Sequence, residues 1–249
     1  MEIIIAHLIH DLDALKACSL TSRSWYTAAV PHLHHTLILV DDEPGADRNQ
    51  LGPLSKLHEL GLLHFVKEIR VDQWPNKGYW FVPQAFDHLT LGFFSALTNV
   101  HTLNLHHLEI HRFILVVERY FGHFSQTLRS IMLYKPCGTP QQLSYFLSRF
   151  PNLDNIGIRD PQIHVSNKIV PETELVLSHA PKLRGRLVLS RTPSVEILAH
   201  LITSRVNLQF RHIDLRWSES CAPVLLEACA ETLETLRFSR MSDYTLVGE

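Results

Sequence analysis

One phrase recurs along this chain: an apolar residue, an aliphatic three positions on, and another two beyond that. It reads Val100-His-Thr-Leu103-Asn-Leu105, and returns at Leu128–Leu133, Leu153–Ile158, Phe210–Leu215 and Leu233–Phe238. Looser copies lie at Val66–Val71 and Leu183–Leu189. The last two apolar positions are two apart, the period of a strand, so both side chains turn to one face. Stretches of helical pattern separate the copies. A unit of one strand and one helix cannot bury its apolar face alone, so such units must stack on their neighbours. The chain is therefore expected to lay parallel strands side by side, each shielded by its own helix.

The middle apolar positions are Ile69, Leu103, Ile131, Ile156, Leu187, Ile213 and Leu236, separated by 34, 28, 25, 31, 26 and 23 residues. Leucine-rich repeats run to about 20–29 residues, so these copies resemble that class with irregular, sometimes longer helices. A regular repeat also carries Asn or Cys three residues after the second aliphatic. Here Leu108, Pro136, Pro161, Ser218 and Met241 stand there, and no Asn ladder is expected. Helical spacing recurs in Phe113, Val116, Val117, Tyr120, Phe121 and Phe124, which reads as core and not as a cofactor slot. The same spacing recurs at Leu143–Phe150, Val195–Ile202 and Val224–Cys229. Pro140, Pro171, Pro193 and Pro223 stand near helix starts, where a missing N–H costs little. The fold class is α/β, an irregular leucine-rich-repeat-like solenoid over residues 37–249.

Residues between the inward aliphatics are expected on the open face of such a sheet, a surface that fits protein binding and that ordinary solvation explains as well. Candidates for that contact are Arg70, Asn104, Met132, Arg159, Asp214, Arg216 and Arg237. The loop holding Trp74, Tyr79 and Trp80 reads either as a contact patch or, the reading preferred, as a cover folded over the core edge, and Asp41-Asp42-Glu43 reads as a solvated loop. A helix opened by Pro53 is expected to place Leu54, Leu57 and Leu60 on its apolar side.

The 249 residues are 45% hydrophobic and 19% charged, with net charge −2, a balance that does not suggest nucleic acid. Cys18, Cys137, Cys221 and Cys229 form no CxxC pair and read as reduced thiols. No apolar run reaches membrane length, so a cytoplasmic or nuclear protein is expected. The GxSxG, P-loop, GxGxxG and HExxH motifs are missing, and no enzyme activity or cofactor is expected. The 17 histidines cluster at His32, His34 and His35 and at His101, His106, His107 and His111. If extended, His32 and His34 share a face, but zinc sites want three or four ligands, and no metal is expected.

The first 36 residues are of another kind. Ile4, Leu8 and Leu12 recur at four-residue spacing and predict one helix over 2–12. Asp11 or Asp13 offers an N-cap for a second helix, and Thr21 or Ser22 for a third that closes before Pro31. The run Glu2-Ile3-Ile4, Leu8-Ile9, Asp11-Leu12, Leu15-Lys-Ala-Cys18-Ser-Leu20 and Arg23-Ser24-Trp25 resembles an F-box, as found in the F-box-like proteins of mushroom-forming fungi. His34–Leu39 and Phe65–Val71 are similar to that family's next two strands, so the motif resemblance spans about the first 71 residues. The chain departs from the family in lacking the Leu-Pro before Glu2 and in its short link Asp11-Leu12-Asp13.

The resemblance implies a non-catalytic substrate-recognition adaptor of a Skp–cullin–F-box ubiquitin ligase. Residues 1–36 would dock on the Skp-type adaptor through Ile3, Ile4, Leu8, Leu12, Leu15 and Leu20, with Trp25 packed against the repeats. The repeats would hold an unidentified protein substrate. Nucleic acid and membrane are not expected partners. The alternative is a repeat scaffold whose first helices only cap the solenoid.

Overall fold

The computed structural model describes residues 2–8, 10–40, 51–72, 91–110, 113–114, 117, 121–163, 182–190, 207–216 and 222–239. Helices α1 (Glu2–His7), α2 (Leu12–Thr21) and α3 (Arg23–Leu33) come first. Strand β1 (Thr36–Val40) follows, then α4 (Leu51–Glu59), β2 (Glu68–Asp72), α5 (Leu91–Ser95), β3 (Thr102–His106) and β4 (Ser130–Tyr134). Next stand β5 (Cys137–Gly138), α6 (Pro140–Ser148), β6 (Asn155–Arg159), β7 (Gln162–Ile163), β8 (Lys182–Leu183) and β9 (Arg186–Ser190). The last are β10 (Asn207–Leu208), β11 (His212–Arg216), α7 (Ala222–Cys229) and β12 (Thr235–Ser239).

Eight strands form one open sheet in the order β1-β2-β3-β4-β6-β9-β11-β12, each parallel to its neighbour. The seven copies of the recurring phrase hold one register, and β1 joins it. One row of partners runs Leu37, Ile69, Leu103, Ile131, Ile156, Leu187, Ile213, Leu236. The chain is thus α/β with an all-parallel, unclosed main sheet. Two short parallel pairs accompany it: β5–β7, whose strands follow β4 and β6 in the chain, and β8–β10, whose strands precede β9 and β11.

The inward rows join one core with the helices. Phe93 and Phe94 of α5, Leu143, Phe146 and Leu147 of α6, and Leu225 and Cys229 of α7 are buried in it. Phe113, Val117 and Phe121 are buried too, so this part of the aromatic stripe is core; nothing is described of the side chains of Val116, Tyr120 and Phe124. Ring contacts link Phe94 to Phe121 at 5.8 Å, Phe121 to Phe113 at 5.5 Å and Phe113 to Phe146 at 6.2 Å. Helix α6 starts at Pro140 under a capping box, with the Thr139 hydroxyl accepting from Gln142 N and the Gln142 amide accepting from Thr139 N.

Adjacent units are tied by backbone where an Asn ladder would stand. His107, Lys135 and Asp160, each just past a strand, have φ of 55°, 50° and 48°. Their N–H groups donate to Tyr134, Arg159 and Ser190 carbonyls at 2.8, 2.7 and 3.1 Å. The Leu108 and Pro136 carbonyls accept from Cys137 and Gln162 N–H at 2.7 and 2.8 Å. Asparagine does bridge units, but at the strand entrance: Asn99 donates to His64 O at 2.6 Å and Asn152 to Gln126 O at 2.8 Å. In the longest of the late phrases, Gly185 makes room for Asn155, whose Oδ1 accepts from Arg186 N at 2.7 Å. A Cβ on Gly185 would lie 2.3 Å from that oxygen.

Several expectations need correction. The first helix ends at His7, because Leu8 and Asp11 N–H groups bond back to Ile5 and Leu8 in turns; Leu12 begins α2. Helix α3 runs through Pro31 to Leu33, since proline in a last turn removes only one bond. His32 and His34 therefore lie in a helix and at its C-cap, not on a strand. Helix α4 begins at Leu51, and Leu60, past its end, is 61% exposed. The loops with Asp41–Glu43 and Trp74, Tyr79 and Trp80, residues 195–202, Pro171, Pro193, Cys221, and Ser218 and Met241 lie outside the described residues.

Candidate functional site

Two surfaces gather the residues singled out in the sequence. The first is the helical unit at the front. Asp11 caps α2, its carboxylate accepting from Ala14 N at 2.9 Å, and Ser22 caps α3 by accepting from Trp25 N at 3.4 Å. Helix α2 packs along α3. Ile5, Leu15 and Ala29 make a small core of their own, separate from the core under the sheet, with Leu8, Cys18, Trp25, Ala28 and Leu33 partly buried against it. Trp25 thus packs inside this unit and not on the repeats.

The docking candidates divide. Leu15 is fully buried and Leu8 half-buried, so both hold the unit together. Ile3, Ile4, Leu12 and Leu20 are 75%, 52%, 53% and 86% exposed. The division follows helical geometry: Leu20 is five positions past Leu15, roughly 140° around the axis. Tyr26, at 49% exposed, joins the outward group and was missed in the sequence. Its signal is its place beside the inward Trp25, one step of about 100° round the helix.

The second surface is the face of the sheet opposite the core. Arg70, Asn104, Met132, Asp214 and Arg237 fall on one register line with Gly157 and Val188 between them. Arg159 and Arg216 fall on the next line, with Asp72, His106, Tyr134 and Ser190. The Arg216 side chain lies outside the described residues. Asp214 is buried and ion-paired to Arg186 at 3.1 Å, which removes it from direct contact. Met132 lies across Gly157, where a Cβ would come within 2.0 Å of its sulfur.

Along the second line a continuous chain of contacts runs across four strands. Arg70 Nε donates to the Asp72 carboxylate at 2.9 Å, and His106 Nδ1 stands 3.5 Å from it. The His106 ring stacks on Tyr134 at 4.1 Å, and the Arg159 guanidinium lies 5.1 Å over Tyr134. Burial holds His106 below the usual histidine range, against the pull of Asp72. Asn104 donates to Glu68 Oε1 at 2.5 Å. Arg159 Nε and Asn104 Oδ1 have no hydrogen-bond partner among the described residues. Arginine side chains and a stacked ring are recognition chemistry, while Asn104 Oδ1 and Arg159 Nε are themselves buried. Asp72 and Tyr134 were not singled out in the sequence, and His106 only as one of a histidine cluster, because the contacts that join them to Arg159 run between strands far apart in the chain.

Among the described residues no three His, Cys, Asp or Glu side chains group as metal ligands, and no helix is long and apolar enough to cross a membrane. No protein-family model matches this chain, and no curated protein matches it.

Proposed function

We propose that this chain is a non-catalytic adaptor of a Skp–cullin–F-box ubiquitin ligase. Its first helices dock on the Skp-type protein, and an irregular leucine-rich-repeat-like solenoid presents the open sheet face to a protein substrate. The observation that carries the reading is the outward aliphatic set on a helical unit that has its own core. Ile3, Ile4, Leu12, Leu20 and Tyr26 are five of the nine large apolar side chains exposed among the described residues. Covering an exposed aliphatic is worth at most about 1.5–3 kcal/mol, while association costs about 4–15 kcal/mol. Four of them make the centre of an interface that needs a surrounding rim. Strands in chain order, one register, and the repeated left-handed turn support the solenoid.

A second reading, the scaffold with capping helices, draws on α3. Val30 is buried, and α3 meets the turn at Leu62–Phe65 that leads into β2. Co-expression with a Skp-type adaptor separates the two. Under the adaptor reading the proteins co-purify, and Ile3→Glu with Leu20→Glu abolishes the complex without changing the circular dichroism spectrum or Tm. A folded chain that does not co-purify leaves the scaffold.

A further inference from the structure

Strands β2, β3, β4 and β6 are entered through the same two-bond clasp. The His35 carbonyl accepts from Lys67 and Glu68 N–H at 2.9 and 3.1 Å. The Lys67 carbonyl accepts from His101 and Thr102 at 3.0 and 3.1 Å, and the His101 carbonyl from Arg129 and Ser130 at 2.9 and 3.0 Å. The Arg129 carbonyl accepts from Asp154 and Asn155, both at 2.9 Å. The residues just before β1, β2, β3 and β4 therefore hold equivalent places, one strand spacing of about 4.8 Å apart. They are His35, Lys67, His101 and Arg129, all basic or able to become so. Lys67, His101 and Arg129 are exposed and His35 is half-buried. Asp154 takes the next place and ends the run.

Like charges set one strand apart repel. Among the described residues no carboxylate is ion-paired to any of the four. Glu68, which follows Lys67, is turned to Asn104 on the open face, and Asp154 stands at the end of the row beside Arg129. His35 registers the crowding: burial first, then the Lys67 charge, push its pKa down, Glu68 opposes, and His101 and His32 add to the fall. The two histidines are oriented alike, each Nδ1 3.4 Å from the hydroxyl of the following threonine, Thr36 or Thr102. Arg129 uses one nitrogen on Asn152 O at 3.0 Å. A rim whose cations Lys67 and Arg129 are ion-paired to no carboxylate among the described residues, with two histidines between and beside them, gains from an anionic chain laid along it.

We propose that the His35–Lys67–His101–Arg129 rim docks an acidic, extended segment of a partner protein. Nucleic acid fits less well: none of the four rim residues is a Phe, Tyr or Trp that would stack bases, and the whole chain has net charge −2. A lipid surface is matched by clusters of about four to eight permanent cations, and only Lys67 and Arg129 are permanent here. The rim crosses the entrance ends of β1 to β4 and not the front helices, so the proposal goes beyond ligase docking and stands whether or not the adaptor reading does.

The test is fluorescence anisotropy of a labelled decaglutamate peptide with the full chain, at low and at physiological salt, without any Skp-type protein. Saturable binding that weakens with salt is expected. Lys67→Glu with Arg129→Glu should lower affinity by about tenfold or more. Lys16→Glu, a reversal on α2 at a lysine that is paired to Asp13 and is no part of the rim, should change it by less than about twofold. Lys67→Gln with Arg129→Gln repeats the test should the reversal disturb folding, read by circular dichroism. Three results would overturn the proposal: no saturable binding at low salt, equal binding by the rim variants, or tighter binding of an equally long single-stranded oligonucleotide or of anionic vesicles.

Discussion

Lys135 carries a cost that its neighbours share. With φ of 50° just after β4, it stands in the left-handed region, as do His107 and Asp160 after β3 and β6. A residue with a Cβ loses about 1–2 kcal/mol there, and lysine bears it less readily than histidine or aspartate. The conformation persists because it aims the Lys135 N–H at the Arg159 carbonyl, 2.7 Å away. Glycine removes the strain but adds freedom to the unfolded chain, about 0.4–1 kcal/mol, so Lys135→Gly is expected near neutral. Lys135→Val, whose β-branch is a genuine outlier in this region, should be less stable than the lysine form. Urea midpoints compare the two; equal midpoints would show that the turn stores no strain. None of this is legible in the sequence, where His107, Lys135 and Asp160 share no residue type and only their place after the phrase is common.

At the scale of elements, the front helices behave as a unit with its own apolar centre. Truncating Leu15 to Ala removes the one fully buried aliphatic of α2 and should cost about 2–5 kcal/mol locally. Since that centre is distinct from the core under the sheet, hydrogen exchange is expected to quicken across residues 12–33 and to stay slow in β3, β4 and β6. Uniform loss of protection in both regions would instead show one cooperative body. The caps of α2 and α3 were readable, because Asp and Ser before an apolar helical pattern have a local reason to be there. The break after His7 was not, because the spacing of Ile4, Leu8 and Leu12 continues across it while the backbone turns at Leu8 and Asp11.

The whole molecule is expected to lose stability in mild acid. His34, His35, His106 and His107 all have pKa values lowered from 6.5, burial being the first cause in each. A histidine whose folded pKa lies below its unfolded one binds fewer protons folded than unfolded. Its contribution is complete above about 6.5 and is lost as pH falls through the folded value. The four span the front helices to the end of β3, so the effect belongs to global unfolding. The urea midpoint should fall between pH 7.5 and pH 5, about the range where histidine titrates. A midpoint that rises over that interval would mean the four are not held neutral in the folded chain.

The linear chain by itself determined which segments become strands and which side chains turn inward, since alternation of apolar residues is a local property of extended backbone. It also marked the core character of Phe113, Phe121, Phe146 and Phe150 through helical spacing. Only the tertiary structure decided adjacency. His35, Lys67, His101 and Arg129 lie 28 to 34 residues apart in sequence and one strand apart in space. Arg70, Asp72, His106, Tyr134 and Arg159 become one contact chain in the same way. The bonds that bring them together are backbone N–H to carbonyl, which nearly every residue type makes, so no side-chain pattern announces them. The same holds for Leu15 and Leu20: identical residues, one inside and one out, separated by the direction from which α3 packs.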